Sequence, residues 1–337
     1  MSLRGGVTLR GQLQAKLDGK AKPLGSLGRI EALAVQLGMI QDSLRPQVVD
    51  PVVLVFAGDH GAVASGVSAY PSAVTAVMVG AYLEGRGAVN VFARQAGARL
   101  VVVDAGVAAD LPSHPGLVAA KVQPGTRDWL HGPAMALDDL DAALRRAARI
   151  VDDLAESGCT VLALGEMGIG NTASAALLVH KVAGLGLDVL IGRGAGLDDA
   201  GLARKRTVMA QGAARTAASL RPRNAMAEYG GFEIAMLVGA ILRAAERGVC
   251  VLIDGVIVTA AAVLAHAMQP DCLASCVFAH RSAELGHDTM LAHLDAVPLL
   301  DLGMRLGEGT GAALALPLLR AAASVLADMA DLQDLVG

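Results

Sequence analysis

Thr160-Val-Leu-Ala-Leu-Gly165-Glu166-Met-Gly168-Ile-Gly170-Asn171-Thr172, followed by Ala-Ser-Ala-Ala-Leu-Leu, decides how the chain is read. The apolar run Val161 to Leu164 has the character of a buried strand. Three glycines interrupt it, and Asn171-Thr172 then opens an alanine-rich helix. Strand, glycine turn and helix start together turn backbone N–H groups toward an anion, with the helix dipole in support. The spacing is neither Gly-Lys-Ser/Thr of a P-loop nor G-x-G-x-x-G, so neither common nucleotide fingerprint applies. A plain tight turn and an anion cradle both remain open for one such loop. Glu166 favours function, because a carboxylate among anion-receiving amides is electrostatically wasteful without a task.

Outward from this stretch the pattern repeats. Pro51 to Phe56 reads as a first strand ending in Ala57-Gly58-Asp59-His60-Gly61, and Leu100 to Asp104 as a second. Leu187 to Ile191 reads as a strand delivering Gly192-Arg193-Gly194-Ala195-Gly196, with Arg204, Lys205 and Arg206 in the helix that follows. Val249 to Ile253 ends in Asp254-Gly255, and Leu273 to Ala279 runs into His280-Arg281-Ser282. Helices separate most of these segments. The expected fold is therefore α/β: a three-layer α/β/α arrangement around a mostly parallel sheet of about six or seven strands. Ligands of open α/β sheets bind outside the carboxyl ends of the strands, where these loops would gather. Two glycine turns in succession, with cations beside the second, favour a phosphorylated small molecule.

Composition sets the outer bounds. The chain has 337 residues and is 54% hydrophobic but only 2% aromatic, so its core must pack many small side chains, as helices on a parallel sheet do. A net charge of −4 with no basic block argues against nucleic acid as a partner. Met1-Ser-Leu-Arg-Gly-Gly lacks an apolar signal core. The longest apolar candidate for a membrane span, Val249 to Met268, is broken by Asp254-Gly255, and other runs fall short of the roughly 20 residues needed. A cytoplasmic protein is expected. Cys159, Cys250, Cys272 and Cys276 lack zinc-type pairing and read as buried free thiols.

Residues 8–45 are helical in pattern, interrupted by Lys22-Pro23-Leu-Gly25-Ser26-Leu-Gly28-Arg29. Ser26 is placed to cap the second helix, and Lys22 and Arg29 read as a solvated linker. Asp59 and His60, with no further His or Cys at ligand spacing, suggest a hydrogen-bonded pair fixing a loop rather than a metal site. The Pro/Gly-rich stretch from Pro112 to Pro133 reads as a surface excursion, and Asp138 as the cap of a helix to Glu156. Near the C-terminus, Met304-Arg-Leu306-Gly307-Glu308-Gly309-Thr-Gly311 enters an apolar helix that Pro317 should cut. A glutamate between two glycines suits a carboxylate held close to a ligand.

These segments resemble the nicotinate-nucleotide:dimethylbenzimidazole phosphoribosyltransferases. The resemblance is carried by KPLGSLGRIEALAVQL (22–37), AGDHG (57–61), GEMGIGNTASAAL (165–177), GGFEIAMLVGAIL (230–242), VLIDG (251–255), HRSAELG (280–286) and MRLGEGTGAALALPLL (304–319), and covers nearly the whole chain. It implies transfer of the phosphoribosyl group of nicotinate mononucleotide to dimethylbenzimidazole, without cofactor or metal, in an enzyme that is usually a homodimer. By resemblance Glu308 is the catalytic base and Glu166 the second carboxylate at the reacting nucleotide. Gly168, Gly170, Asn171, Gly194, Lys205 and Ser282 would serve the phosphate and nucleotide, and Tyr70, Met78 and Leu306 the wall around the aromatic base. The family's fold adds a small helical lobe from both termini, here residues 1–45 with 318–337, beside a catalytic domain at 46–317. Ala195 and Leu285 depart from the family's usual Thr and Pro, and Tyr70 replaces a smaller residue, which leaves open which aromatic base is taken. The competing readings are a non-catalytic nucleotide or cobamide-precursor binding protein, which has no use for Glu308 in so cramped a turn, and a nicotinamide-dependent oxidoreductase, against which the missing G-x-G-x-x-G counts.

Overall fold

The structure is a computed structural model and describes residues 8–336; the first seven residues, and with them the expected absence of a signal core, lie outside it. In chain order the elements are α1 (Leu9–Asp18), α2 (Arg29–Ile40), β1 (Val52–Gly58), α3 (Ala73–Leu83), α4 (Ala88–Gln95), β2 (Arg99–Gly106), β3 (Leu117–Ala119) and α5 (Leu137–Glu156). There follow β4 (Val161–Met167), α6 (Asn171–Ala183), α7 (Leu187–Leu190), α8 (Asp199–Ala214), α9 (Pro222–Tyr229) and α10 (Phe232–Glu246). The remainder comprises β5 (Cys250–Ile253), α11 (Val256–Met268), β6 (Cys276–Phe278), β7 (His280–Arg281), α12 (His287–His293), β8 (Leu300–Asp301), α13 (Thr310–Ala327) and α14 (Leu332–Val336).

Six strands form one sheet in the order β3-β2-β1-β4-β5-β6, every pair parallel; β7 and β8 make a separate two-stranded ladder. The strand order reverses between β1 and β4. That is the switch point at which open α/β sheets leave a crevice. The register sets Phe56 opposite both Val103 and Glu166, so the carboxyl ends of β1, β2 and β4 finish together.

Alternation along the strands feeds two cores. Val52, Leu54 and Phe56 face a layer containing α5, α6, α10 and α11, while Val53, Val55 and Ala57 face α1, α2, α3, α4 and α13. Both faces of β1 are buried throughout, as a parallel sheet covered on two sides requires. Small residues let the helices close up. A Cβ on Gly239 of α10 would lie 2.9 Å from the Leu144 carbonyl of α5, so the two backbones pack almost in contact.

Several expectations need correction. Leu187 to Ile191 is not a strand: β4 pairs directly with β5, leaving no place for it, and its first four residues coil into α7. The sixth strand is instead β3, a three-residue edge strand inside the stretch expected to be a surface excursion. Of Leu273 to Ala279 only Cys276–Phe278 is strand, because Pro270–Ser275 forms a 3-10 turn. Pro317 does not cut a helix; α13 runs through it, with the proline ring on the exposed side. Continuity makes α13 the one helix among the described residues long and apolar enough to cross a bilayer, yet 56% of it is buried inside the fold.

Caps and linkers differ too. Gly28, not Ser26, caps α2, and Ala136, not Asp138, caps α5, the latter helix keeping its aspartates in the first turn. The Lys22 side chain is buried against Glu31 (2.8 Å) and Arg29 donates to the carbonyls of Val297 and Pro298, so neither is a solvated linker residue. All four cysteines are buried and free.

Candidate active site

The carboxyl ends of β4 and β5, α3 with the loop before it, and the turn before α13 enclose a cavity of about 480 Å³. Glu166, Gly168, Asn171, Gly194 and Ser282 line it, as do Tyr70, Met78, Leu306 and Glu308. Segments more than a hundred residues apart thus meet there. Gly170 opens instead on a small adjoining cleft of about 50 Å³, and Lys205 lies behind the wall. Among the described residues no group of three or more His, Cys, Asp or Glu side chains is placed to hold a metal ion.

Glu308 owes its position to a turn in which three successive residues have positive φ: Gly307 (81°), Glu308 (65°) and Gly309 (83°). A glutamate in the left-handed region costs on the order of 1 kcal/mol, a strain that the surroundings must hold in place. They do so from two sides. Asp254, at the end of β5, accepts the N–H groups of Gly309 (3.1 Å) and Ala312 (2.9 Å). On the other side the turn lies on the bare backbone of Gly165, where a Cβ would fall 2.5 Å from the Glu308 carbonyl carbon. The glycine of Leu-Gly-Glu166 is therefore a packing requirement of the other carboxylate's turn.

Glu166 projects from β4 toward the same turn. Its Oε1 lies 2.6 Å from where a Cβ on Gly307 would stand, and its Oε2 accepts the Asn171 side-chain amide from the start of α6. Burial, together with the charges of Glu233 and Asp254, pushes its pKa up to about 8, so at neutral pH it is protonated. Burial also raises Glu308, against the opposing pull of the Tyr82 hydroxyl and the Val89 N–H.

The Glu166 pKa is raised from an ordinary 4.5, so its stabilising share is complete below about pH 4.5 and lost as pH rises through 8. Glu166→Gln should therefore melt several degrees above wild type at pH 8 and close to it at pH 4.5. Calorimetry across that range checks this, and a pH-independent difference would contradict it.

Beneath the glycine loop, His60 does not pair with Asp59. Its Nε2 meets Glu233 (2.6 Å) and its Nδ1 meets Ser174 (3.0 Å), both in the interior, while Asp59 accepts the Ala108 N–H. Glu233 is adjacent to Gly168: a Cβ there would lie 3.3 Å from its Oε1. The pair supports the loop from below.

The Lys205 ammonium is held by Thr172 Oγ1 (2.9 Å) and the Gly192 carbonyl (3.1 Å), and burial draws its pKa down to about 8. The Gly194 N–H, expected to meet phosphate, donates to Glu284 Oε1 (3.0 Å). Thr172, Glu284 and Arg305 also line the cavity and escaped the sequence reading, although Glu284 stands in the HRSAELG segment that carries the resemblance.

A cavity at the carboxyl ends of the strands, glycine loops at helix starts, a buried ammonium and two crowded carboxylates suit an enzyme acting on a phosphorylated small molecule. A family model described as "Phosphoribosyltransferase" matches residues 7–335. The chain belongs to the nicotinate-nucleotide:dimethylbenzimidazole phosphoribosyltransferase family. It is 55% identical to the nicotinate-nucleotide–dimethylbenzimidazole phosphoribosyltransferase of Aromatoleum aromaticum, covering 96% of this chain and 94% of that one. To the protein of the same name from Cupriavidus taiwanensis it is 52% identical, over 96% and 93%. A crystal structure of CobT from Thermus thermophilus superposes with a TM-score of 0.93 at 42% identity, covering 97% of this chain and 98% of that one.

Proposed function

We propose that the protein transfers the phosphoribosyl group of nicotinate mononucleotide to dimethylbenzimidazole, giving α-ribazole phosphate and nicotinate for the lower ligand of cobalamin. The observation that carries this reading is the meeting of Glu166 and Glu308 in one cavity beside the Gly168 and Gly194 loops. The pyridinium nitrogen is already a competent leaving group, so the protein must supply a base and a charge partner. One benzimidazole nitrogen attacks C1′ with its lone pair from the face opposite nicotinate, which inverts that carbon. The C1′–pyridinium bond breaks, its electron pair leaving with nicotinate, and the proton on the other benzimidazole nitrogen passes to Glu308.

Glu166 serves the sugar. Protonated in its crowded surroundings, it ionises when the cationic ring of the nucleotide enters the cavity, and its negative charge then opposes the positive charge building at C1′. Gly168, Gly170, Asn171 and Ser282 bound the nucleotide's end of the site. The phosphate replaces the Glu284 carboxylate at the Gly194 N–H and draws on Lys205. Tyr70 (49% exposed), Met78 and Leu306 (54% exposed) form an apolar mouth suited to a flat aromatic base. The same reading places the enzyme in the cytoplasm as a homodimer, with residues 1–45 and 318–337 as a small lobe. The lobe is supported by Lys20, which bridges to Asp331 (2.9 Å) and donates to the Met329 carbonyl (2.7 Å).

Incubation with nicotinate mononucleotide and a panel of benzimidazoles, purines and phenolics, followed by chromatography, tests the reading. Release of nicotinate with benzimidazole-dependent formation of an α-riboside phosphate is expected. Binding of the nucleotide without release for any base would favour the binding-protein alternative.

A further inference from the structure

Behind the cavity two buried polar atoms find no hydrogen-bond partner elsewhere in the interior, the Tyr82 hydroxyl and Glu308 Oε2. One is a donor and the other an acceptor. Leaving either unsatisfied in the interior is costly, so each calls for an explanation. Tyr82 lies near the end of α3 and is only 2% exposed. Its ring is fixed by the Gly87 backbone, where a Cβ would lie 2.5 Å from Cδ1, and its carbonyl accepts the Asn90 side-chain amide (2.8 Å). The phenol therefore has a set direction, and its hydroxyl lies within reach of the Glu308 carboxylate. Tyr82 is not on the cavity wall, so it does not reach substrate.

We propose that Tyr82 is a positioning residue for the catalytic base: its O–H donates to Glu308 Oε2, fixing the carboxylate's rotation so that the other oxygen receives the proton of the aromatic base. This rests on the reading of Glu308 given above. The turn holding Glu308 is fixed by Asp254 through the backbone only, so the carboxylate itself needs a separate hold. Tyr82 supplies it from α3, and the Val89 N–H adds to it from the first turn of α4. The other ionisable groups facing Glu308 are Glu166 from β4 and Asp254, which in turn lies 3.5 Å from His280 of β7. All of these remain in a Tyr82→Phe variant, so that change isolates the hydroxyl.

The hydroxyl favours the ionised carboxylate, and its removal raises the Glu308 pKa. In Tyr82→Phe the acid limb of the kcat/KM profile should move upward by about one pH unit, with kcat reduced about tenfold on that limb. Rates should approach wild type at alkaline pH, with KM for nicotinate mononucleotide unchanged. A profile superimposable on wild type would overturn the proposal, as would a loss equal at every pH. A second measurement needs no turnover: pH-difference infrared spectroscopy of the carboxylate band that Glu308→Gln abolishes. Its titration should move upward in Tyr82→Phe, and an unmoved midpoint overturns the proposal whatever the substrates prove to be. A wild-type enzyme inert toward nicotinate mononucleotide and every base would instead overturn the substrate reading alone.

Discussion

Glu308→Gln is expected to lower kcat by about 10² to 10⁴, the range that general-base catalysis supplies, while the Kd for nicotinate mononucleotide stays within about twofold of wild type. The amide keeps the size of the carboxylate and leaves intact the Asp254 bonds to Gly309 and Ala312, so the turn should persist. What is lost is the lone pair that, in the proposed mechanism, takes the benzimidazole proton. Single-turnover kinetics, together with calorimetric titration of the nucleotide, separates the two quantities. Equal losses in both would assign Glu308 to binding or structure.

The second large effect is expected at Lys205. Its ammonium is buried beside Thr172 and the Gly194 turn, and a charge-assisted contact of this kind contributes about 1.5 to 3 kcal/mol. Lys205→Ala should therefore raise KM for the nucleotide roughly 10- to 150-fold, with kcat within a few-fold. The wild-type enzyme should show a related pH dependence. A lysine drawn down to about 8 loses its charge above that pH, so nucleotide affinity weakens there even though the substrate's own charge is constant. Bound phosphate favours the ammonium, so titrations near pH 8.5 should take up protons, visible as a dependence of the binding heat on the buffer. An unchanged KM in the variant would remove Lys205 from the phosphate site.

Much of this was legible in the chain. The strands β1, β2, β4 and β5 announce themselves as apolar runs that stop at Gly or Asp, and their order of use follows from the loops they carry. Glu166 and Glu308 stand out because each is set among glycines, where a surface glutamate gains nothing. The five residues from Leu187 differ from the expected strand for a physical reason: a short apolar run fits a buried strand and a buried helical turn equally, and only a neighbouring strand settles which. β3 is three residues long and sits among prolines and glycines, so no periodicity could emerge. Pro317 does not end its helix because a helix with a packed face can carry a proline on its open side. Tyr82 and Glu284 were illegible for another reason. What each touches depends on what lies across from it in space, and beyond the place of Glu284 in HRSAELG nothing local distinguishes them from an ordinary core tyrosine or helix-flanking glutamate.

With Glu308 as the proposed base, its left-handed backbone separates what makes this protein durable from what makes it useful. Glycine or asparagine relaxes that conformation, so a library sorted only for resistance to heat or protease should drift toward them at this position. Survivors of such a sort would be sturdier and inert. Thermal hardening of this scaffold therefore has to be scored on product formed in every round.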